Sequence, residues 1–157
     1  HFVHRDVSGS GKLLVVGVFL SIAKGAKQDA FIKSILDDME TDDEALDLEE
    51  SETNYSDLLN GLVAKSHLFN YSGSLTTPDC SEIVDWWVLN TPIYISQDDF
   101  NRMEALYGEL PATNGGSDNR PTQPLNDREL HYFYRRPKVQ KECCGGEADP
   151  AIVADPF

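Results

Sequence analysis

The sequence predicts a mixed fold dominated by sheet, and three features lead to that class. Apolar runs rich in Val, Ile and Trp, from Lys12 to Ala23 and from Ile83 to Ser96, read as strands, with a few surface helices beside them. The helical stretches do not alternate with strands as in a doubly wound parallel sheet. A chain of 157 residues, 40% apolar and 25% charged, is long enough and apolar enough for one packed core.

His1-Phe2-Val3-His4 opens the chain in a strand pattern. It is neither a signal peptide nor a start methionine, so the sequence reads as a piece of something longer. Lys12 to Ala23 (KLLVVGVFLSIA) is almost continuously apolar between Gly9-Ser10-Gly11 and Lys24-Gly25, which predicts one strand buried on both faces. Ile32, Ile35, Leu36 and Met39 recur at helical spacing and predict a helix from about Lys27 to Met39. A short helical stretch follows near Tyr55 to Leu59. Ile83 to Ser96 is broken by Asn90-Thr91-Pro92 and reads as two strands or one bent at the proline. Ser96 and Asp99 have the spacing of a capping box, with Phe100, Met103 and Tyr107 marking one helix face. Residues 111–128 are rich in Pro, Asn and Gly and predict a loop packed around Arg120-Pro121. The domain is expected over 1–136, with 137–157 a loose tail. There is no internal repeat.

The formal charge of −14 argues against nucleic acid or an anionic membrane surface as partner, because phosphate contacts need clustered Lys and Arg. No apolar run reaches the roughly 18 residues of a membrane span. Most of the charge comes from ten acids between Asp37 and Glu52, a window without a base. Such density predicts a solvated surface insertion over about 37–54. Its alternative use is weak, diffuse binding of Ca²⁺ or mineral, since no EF-hand spacing is present.

Four histidines and three cysteines carry the candidate chemistry. Strand side chains alternate faces, so His1 and His4 cannot serve one metal from a single strand, whereas His1 and Val3 share a face. There is no His-x-His pair, HExxH or CxxC. Cys80 is a buried small hydrophobe or half of a disulfide, and Cys143-Cys144 lie in a Gly-rich tail. Asn54-Tyr55-Ser56 and Asn70-Tyr71-Ser72 fit the glycosylation acceptor pattern, which matters only on a secretory route. Tyr71 to Glu82 (YSGSLTTPDCSE) is the most distinctive stretch. By local rules it is either a hydroxyl-rich turn closed by proline, or the edge of a site presenting Thr76 and Thr77.

Several segments together resemble the C-terminal portion of an α-type carbonic anhydrase. They are His1-Phe-Val-His4, Val15-Val-Gly-Val-Phe-Leu20, Tyr71-x-Gly-Ser-Leu-Thr-Thr-Pro78, Glu82-x-Val-x-Trp86-x-Val-Leu89, Pro92-Ile-x-Ile95 and Asn119-Arg-Pro-Thr-Gln-Pro-Leu125. They keep the family's order over about residues 1–128. The departures are Asp79 in place of a second proline, the acidic insertion, and an absent N-terminal half.

The resemblance implies a large, twisted, mostly antiparallel sheet with peripheral helices, and reversible hydration of CO₂ to bicarbonate. It implies a Zn²⁺ held by three histidines, His1 being the third, with water or hydroxide in the open position. In this family the metal lowers the pKa of that water to about 7. Thr76 resembles the threonine that orients the attacking oxygen, and Thr77 its neighbour that touches bicarbonate. Val3, Val15, Leu75, Val84 and Trp86 match the apolar wall that receives CO₂, although composition alone would make them ordinary core. Cys80 matches the half-cystine of secreted members, which implies a secreted, periplasmic or luminal setting. The fragment alone is expected to be inactive, because two zinc ligands are not in it. A non-catalytic binding or matrix protein on the same scaffold, with the acidic run taking Ca²⁺ or mineral, is the alternative.

Overall fold

The computed structural model describes residues 1–41, 55–110, 113, 115, 119–135 and 152–156. They form two compact units, the first from His1–Val18, Leu62–Thr91 and Pro124–Phe157, the second from Phe19–Gly61 and Pro92–Gln123.

The first unit is a six-stranded sheet. Its strands are β1 (Phe2–Arg5), β2 (Leu13–Gly17), β4 (Leu68–Gly73), β5 (Val84–Leu89), β7 (His131–Arg135) and β8 (Ile152–Pro156), in the order β1-β2-β5-β4-β7-β8. Every neighbouring pair is antiparallel except β2 with β5. The mostly antiparallel sheet implied by the resemblance is therefore present. Val15 and Val16, consecutive on β2, are both buried, so both faces of that strand are covered as its unbroken apolar run requires.

The run does not continue as one strand to Ala23. It ends at Gly17, and Leu20–Ile22 forms β3 in the second unit, parallel to β6 (Ile93–Ile95). Phe19 marks the break: its side chain is exposed, while its carbonyl accepts the Ile93 N–H at 2.9 Å. A continuous apolar run carries no mark of where a chain changes sheets. Ile83 to Ser96, by contrast, resolves into β5 and β6 with the break at Asn90-Thr91-Pro92.

In the second unit α1 (Ala30–Thr41) starts later than its periodicity suggests. Asp29 sets the start: its Oδ1 accepts from the N–H groups of Phe31 at 3.0 Å and Ile32 at 3.2 Å, the work of an N-cap. The helix buries Phe31, Ile32 and Leu36. Its C-terminal turns take in Asp37, Asp38 and Glu40, so the acid-rich window does not begin as a loop. Arg102 answers two of those acids, with Nε and Nη2 each 2.6 Å from Glu40 and Nη2 2.7 Å from Asp37. Lys33 also pairs with Asp37. This cationic company holds both carboxyls below their ordinary range. Residues 42–54, with the rest of the acidic insertion, lie outside the described residues.

Helix α2 (Tyr55–Val63) extends past the predicted Leu59 and buries none of its side chains. Helix α3 (Gln97–Glu109) begins at the capping box. Its expected apolar face is only partly covered, since Phe100 and Tyr107 are exposed, and the buried member of its first turn is Asp99. At the other end of the chain, the expected loose tail contains a strand: the backbone of Ile152–Pro156 pairs with β7 from Arg135↔Ile152 to His131↔Pro156. Residues 136–151 lie outside the described residues.

Candidate active site

The pairing register aligns one row of side chains across the sheet of the first unit. Val3 pairs with Val15, Val15 with Trp86, and Trp86 with Tyr71, so the four share a face. Val15, Val84 and Trp86 form a buried apolar cluster, against which Leu13, Tyr71, Leu75 and Val88 pack. Val3 itself is 60% exposed, at the outer strand of the row. His1 precedes β1 and is exposed, and its ring meets Trp86 edge-on with centroids 4.9 Å apart. His1 and the apolar residues therefore stand together, as the alternation along β1 predicts.

The distinctive stretch leaves β4 at Gly73 and returns at β5 as a turn tied by its own backbone. Leu75 N–H donates to Ser81 O at 3.0 Å, Cys80 N–H to Thr77 O at 2.8 Å, and Ile83 N–H to Ser81 O at 3.0 Å. The Pro78–Asp79 peptide is cis. The Ser81 hydroxyl donates to Asp79 at 2.5 Å, which holds that carboxyl below its usual value. Below the turn, Trp86 Nε1 donates to the Ser74 carbonyl at 3.1 Å, so the indole satisfies its only polar atom while burying its rings. Thr76 and Thr77 sit at the exposed crest. Leu75 of this turn packs against the apolar cluster, and the two threonines follow it in the chain.

Cys80 is half-buried, with a left-handed backbone at φ 62°, and forms no disulfide among the described residues. The other histidines stand elsewhere. His4 faces away from His1 on β1, His67 stacks on Tyr132 at 5.6 Å, and His131 lies 3.5 Å from Glu129. Asn70, in the second acceptor triplet, lies in β4, with its Nδ2 donating to Asp85 at 2.6 Å and to the Trp86 carbonyl at 3.0 Å.

Among the described residues no three His, Cys, Asp or Glu side chains converge as a metal centre needs. His1, beside the apolar cluster, is not part of such a group among the described residues.

The sequence profile described as eukaryotic-type carbonic anhydrase matches residues 3–134. The chain belongs to the eukaryotic-type carbonic anhydrase family. Among curated carbonic anhydrases, it is 38% identical over 128 residues to one from Nostoc sp., covering 82% of this chain and 43% of the relative. It is 32% identical over 130 residues to putative carbonic anhydrase 3 of Caenorhabditis elegans, covering 83% and 51%. Among solved structures it resembles the α-carbonic anhydrase of Thermovibrio ammonificans complexed with the inhibitor sulfanilamide. There the TM-score is 0.63 at 30% identity, over 83% of this chain and 51% of that one. The chain spans about half the length of the curated carbonic anhydrases it matches.

The reason for one glycine in the Tyr71–Pro78 motif lies in the packing of Trp86. Gly73 lies so close under Trp86 that a Cβ there would be 2.7 Å from the indole Cδ1. A glycine ending a strand pattern is the signal for such a close approach.

Proposed function

We propose that this chain supplies one metal ligand, the threonine turn and the apolar floor of a zinc-dependent carbonic anhydrase that reversibly hydrates CO₂. The observation that supports the reading is the contact of His1 with Trp86, on the face that also carries Val3 and Val15. CO₂ has no net dipole and gains from such a dry surface next to polar groups. A threonine hydroxyl both donates and accepts a hydrogen bond. Thr76 uses that pair of bonds to orient the attacking oxygen, and Thr77 contacts bicarbonate. Leu75 and Val84 complete the floor. Zinc needs at least three protein ligands, and the described residues bring no group of three together. The proposal therefore includes an N-terminal half that completes the site, linked through Cys80 in a secreted, periplasmic or luminal protein.

The test is stopped-flow CO₂ hydration by the complete gene product, with zinc measured per chain. Metal-dependent turnover is expected, and Thr76→Ala should lower kcat about 10²-fold with zinc content unchanged, as loss of an orienting residue does. Equal loss of zinc and activity would make Thr76 structural. A zinc-free protein without turnover would overturn the catalytic reading in favour of the non-catalytic scaffold.

A further inference from the structure

Arg128 belongs to none of the motifs that mark the family resemblance. Its guanidinium nonetheless donates to three backbone carbonyls: Nε to Leu125 at 3.0 Å, Nη2 to Pro124 at 2.7 Å, and Nη1 to Ser72 at 3.0 Å. Its central carbon is 6.0 Å from the centroid of the Tyr71 ring. The first two bonds close the turn at Pro124–Arg128, where Asn126 is left-handed at φ 51°. The third crosses to β4.

The crossing falls where the sheet is thinnest in partners. On one side β4 pairs with β5 along its whole length, from Leu68 to Gly73. On the other, β7 pairs with it over Leu68–Asn70 and no further. Beyond Asn70, Ser72 has the Arg128 guanidinium on its carbonyl in place of a strand. A charge-assisted bond is stronger than the ladder bond it stands in for, and the fork of a guanidinium reaches two chain segments at once. Two residues after Ser72 the chain enters the turn that carries Leu75, Thr76 and Thr77. Tyr71, under the guanidinium, packs against the Val15–Val84–Trp86 cluster on which that turn rests.

We propose that Arg128 is a positioning residue, whose guanidinium takes the place of a strand partner at the end of β4 and thereby fixes the Thr76–Thr77 turn. The clamp stands on the geometry alone, and only its kinetic consequence rests on the carbonic anhydrase reading. Arg128→Ala removes all three bonds. Arg128→Lys keeps the charge, but its three N–H donors sit on one nitrogen and do not span the carbonyls of both segments as the planar fork does.

The test compares both variants with the wild-type complete gene product by hydrogen exchange, peptide by peptide, and by CO₂ hydration. In Arg128→Ala, amides of residues 74–83 should exchange about tenfold faster or more, the factor expected from losing one charged hydrogen bond. Residues 84–89 should keep their wild-type rate, and Arg128→Lys should fall between. kcat should drop in the same order with zinc content unchanged. A merely structural role would speed exchange in β5 as much as in the turn, and leave kcat per folded molecule untouched. Either that pattern or wild-type exchange in 74–83 overturns the proposal. Should Arg128→Ala fail to fold, Arg128→Lys decides by the same comparison. Absence of hydration in the wild type would remove the proposed function, while the exchange pattern would still judge the clamp.

Discussion

A methyl group at position 73 has nowhere to go. It would lie 2.7 Å from Trp86 Cδ1 and 3.1 Å from Nε1, and neither atom belongs to a flexible side-chain end. The indole cannot retreat without breaking its bond to the Ser74 carbonyl, and beneath it Val15 and Val84 are already buried. Gly73→Ala should therefore destabilise the protein by about 1–3 kcal/mol, the usual cost of overpacking. It should also change the tryptophan emission. Denaturant unfolding followed by fluorescence checks both, and an unchanged midpoint with unchanged emission would show that the turn yields freely. The adjacent hydroxyls depend on the same contact, because the turn bearing Thr76 and Thr77 starts at the carbonyl that Trp86 holds. Motif order alone pointed to these threonines; the reason for the glycine before them is visible only once the indole is placed.

At the scale of elements, helix α3 shows which local signals carry through. Ser96 Oγ accepts the Asp99 N–H at 3.0 Å and donates to Asp99 Oδ2 at 2.8 Å, and Gln28 Nε2 donates to Oδ1 at 2.8 Å. Burial alone would raise the Asp99 carboxyl, but the bonds from Gln28 and Ser96 outweigh it and the net direction is down. A folded value below the unfolded one means that Asp99 stabilises the fold above the ordinary carboxylate range. That stabilisation is lost as pH falls through the folded value. Asp99→Ala should cost about 1–3 kcal/mol near neutral pH, because it leaves the donors of Gln28 and Ser96 unmet. The difference from wild type should shrink as pH falls through and below the ordinary carboxylate range. Thermal unfolding across that range measures it, and a pH-independent difference would show that the carboxylate is not the cause. The capping box was legible because it is local: two side chains three residues apart. The switch of sheets between β2 and β3 was not legible, since partner strands are chosen by residues far away, such as Ile93. Strand β8 was hidden for the opposite reason, a short apolar stretch in a Gly- and acid-rich context that gains its partner only in the fold.

For the whole molecule, the candidate site was legible in its residue types and their shared face, because the period-2 rule links His1 to Val3 and the register then links Val3 to Val15 and Trp86. What sequence could not supply was closure. Among the described residues His1 is the one histidine on the Trp86 contact, and no group of three metal-binding side chains converges. Zinc bound by one imidazole is held weakly, since catalytic zinc takes three protein ligands at about 2.0–2.1 Å for histidine. The 157-residue chain on its own should therefore hold far less than one zinc after dialysis and give no hydration above the uncatalysed rate. Joined to an N-terminal half from a related carbonic anhydrase, it should regain both. Zinc analysis and stopped-flow hydration of the two proteins check the contrast. Stoichiometric zinc with metal-dependent turnover in the chain alone would overturn it, and would require ligands from residues outside those described or from a second copy of the chain.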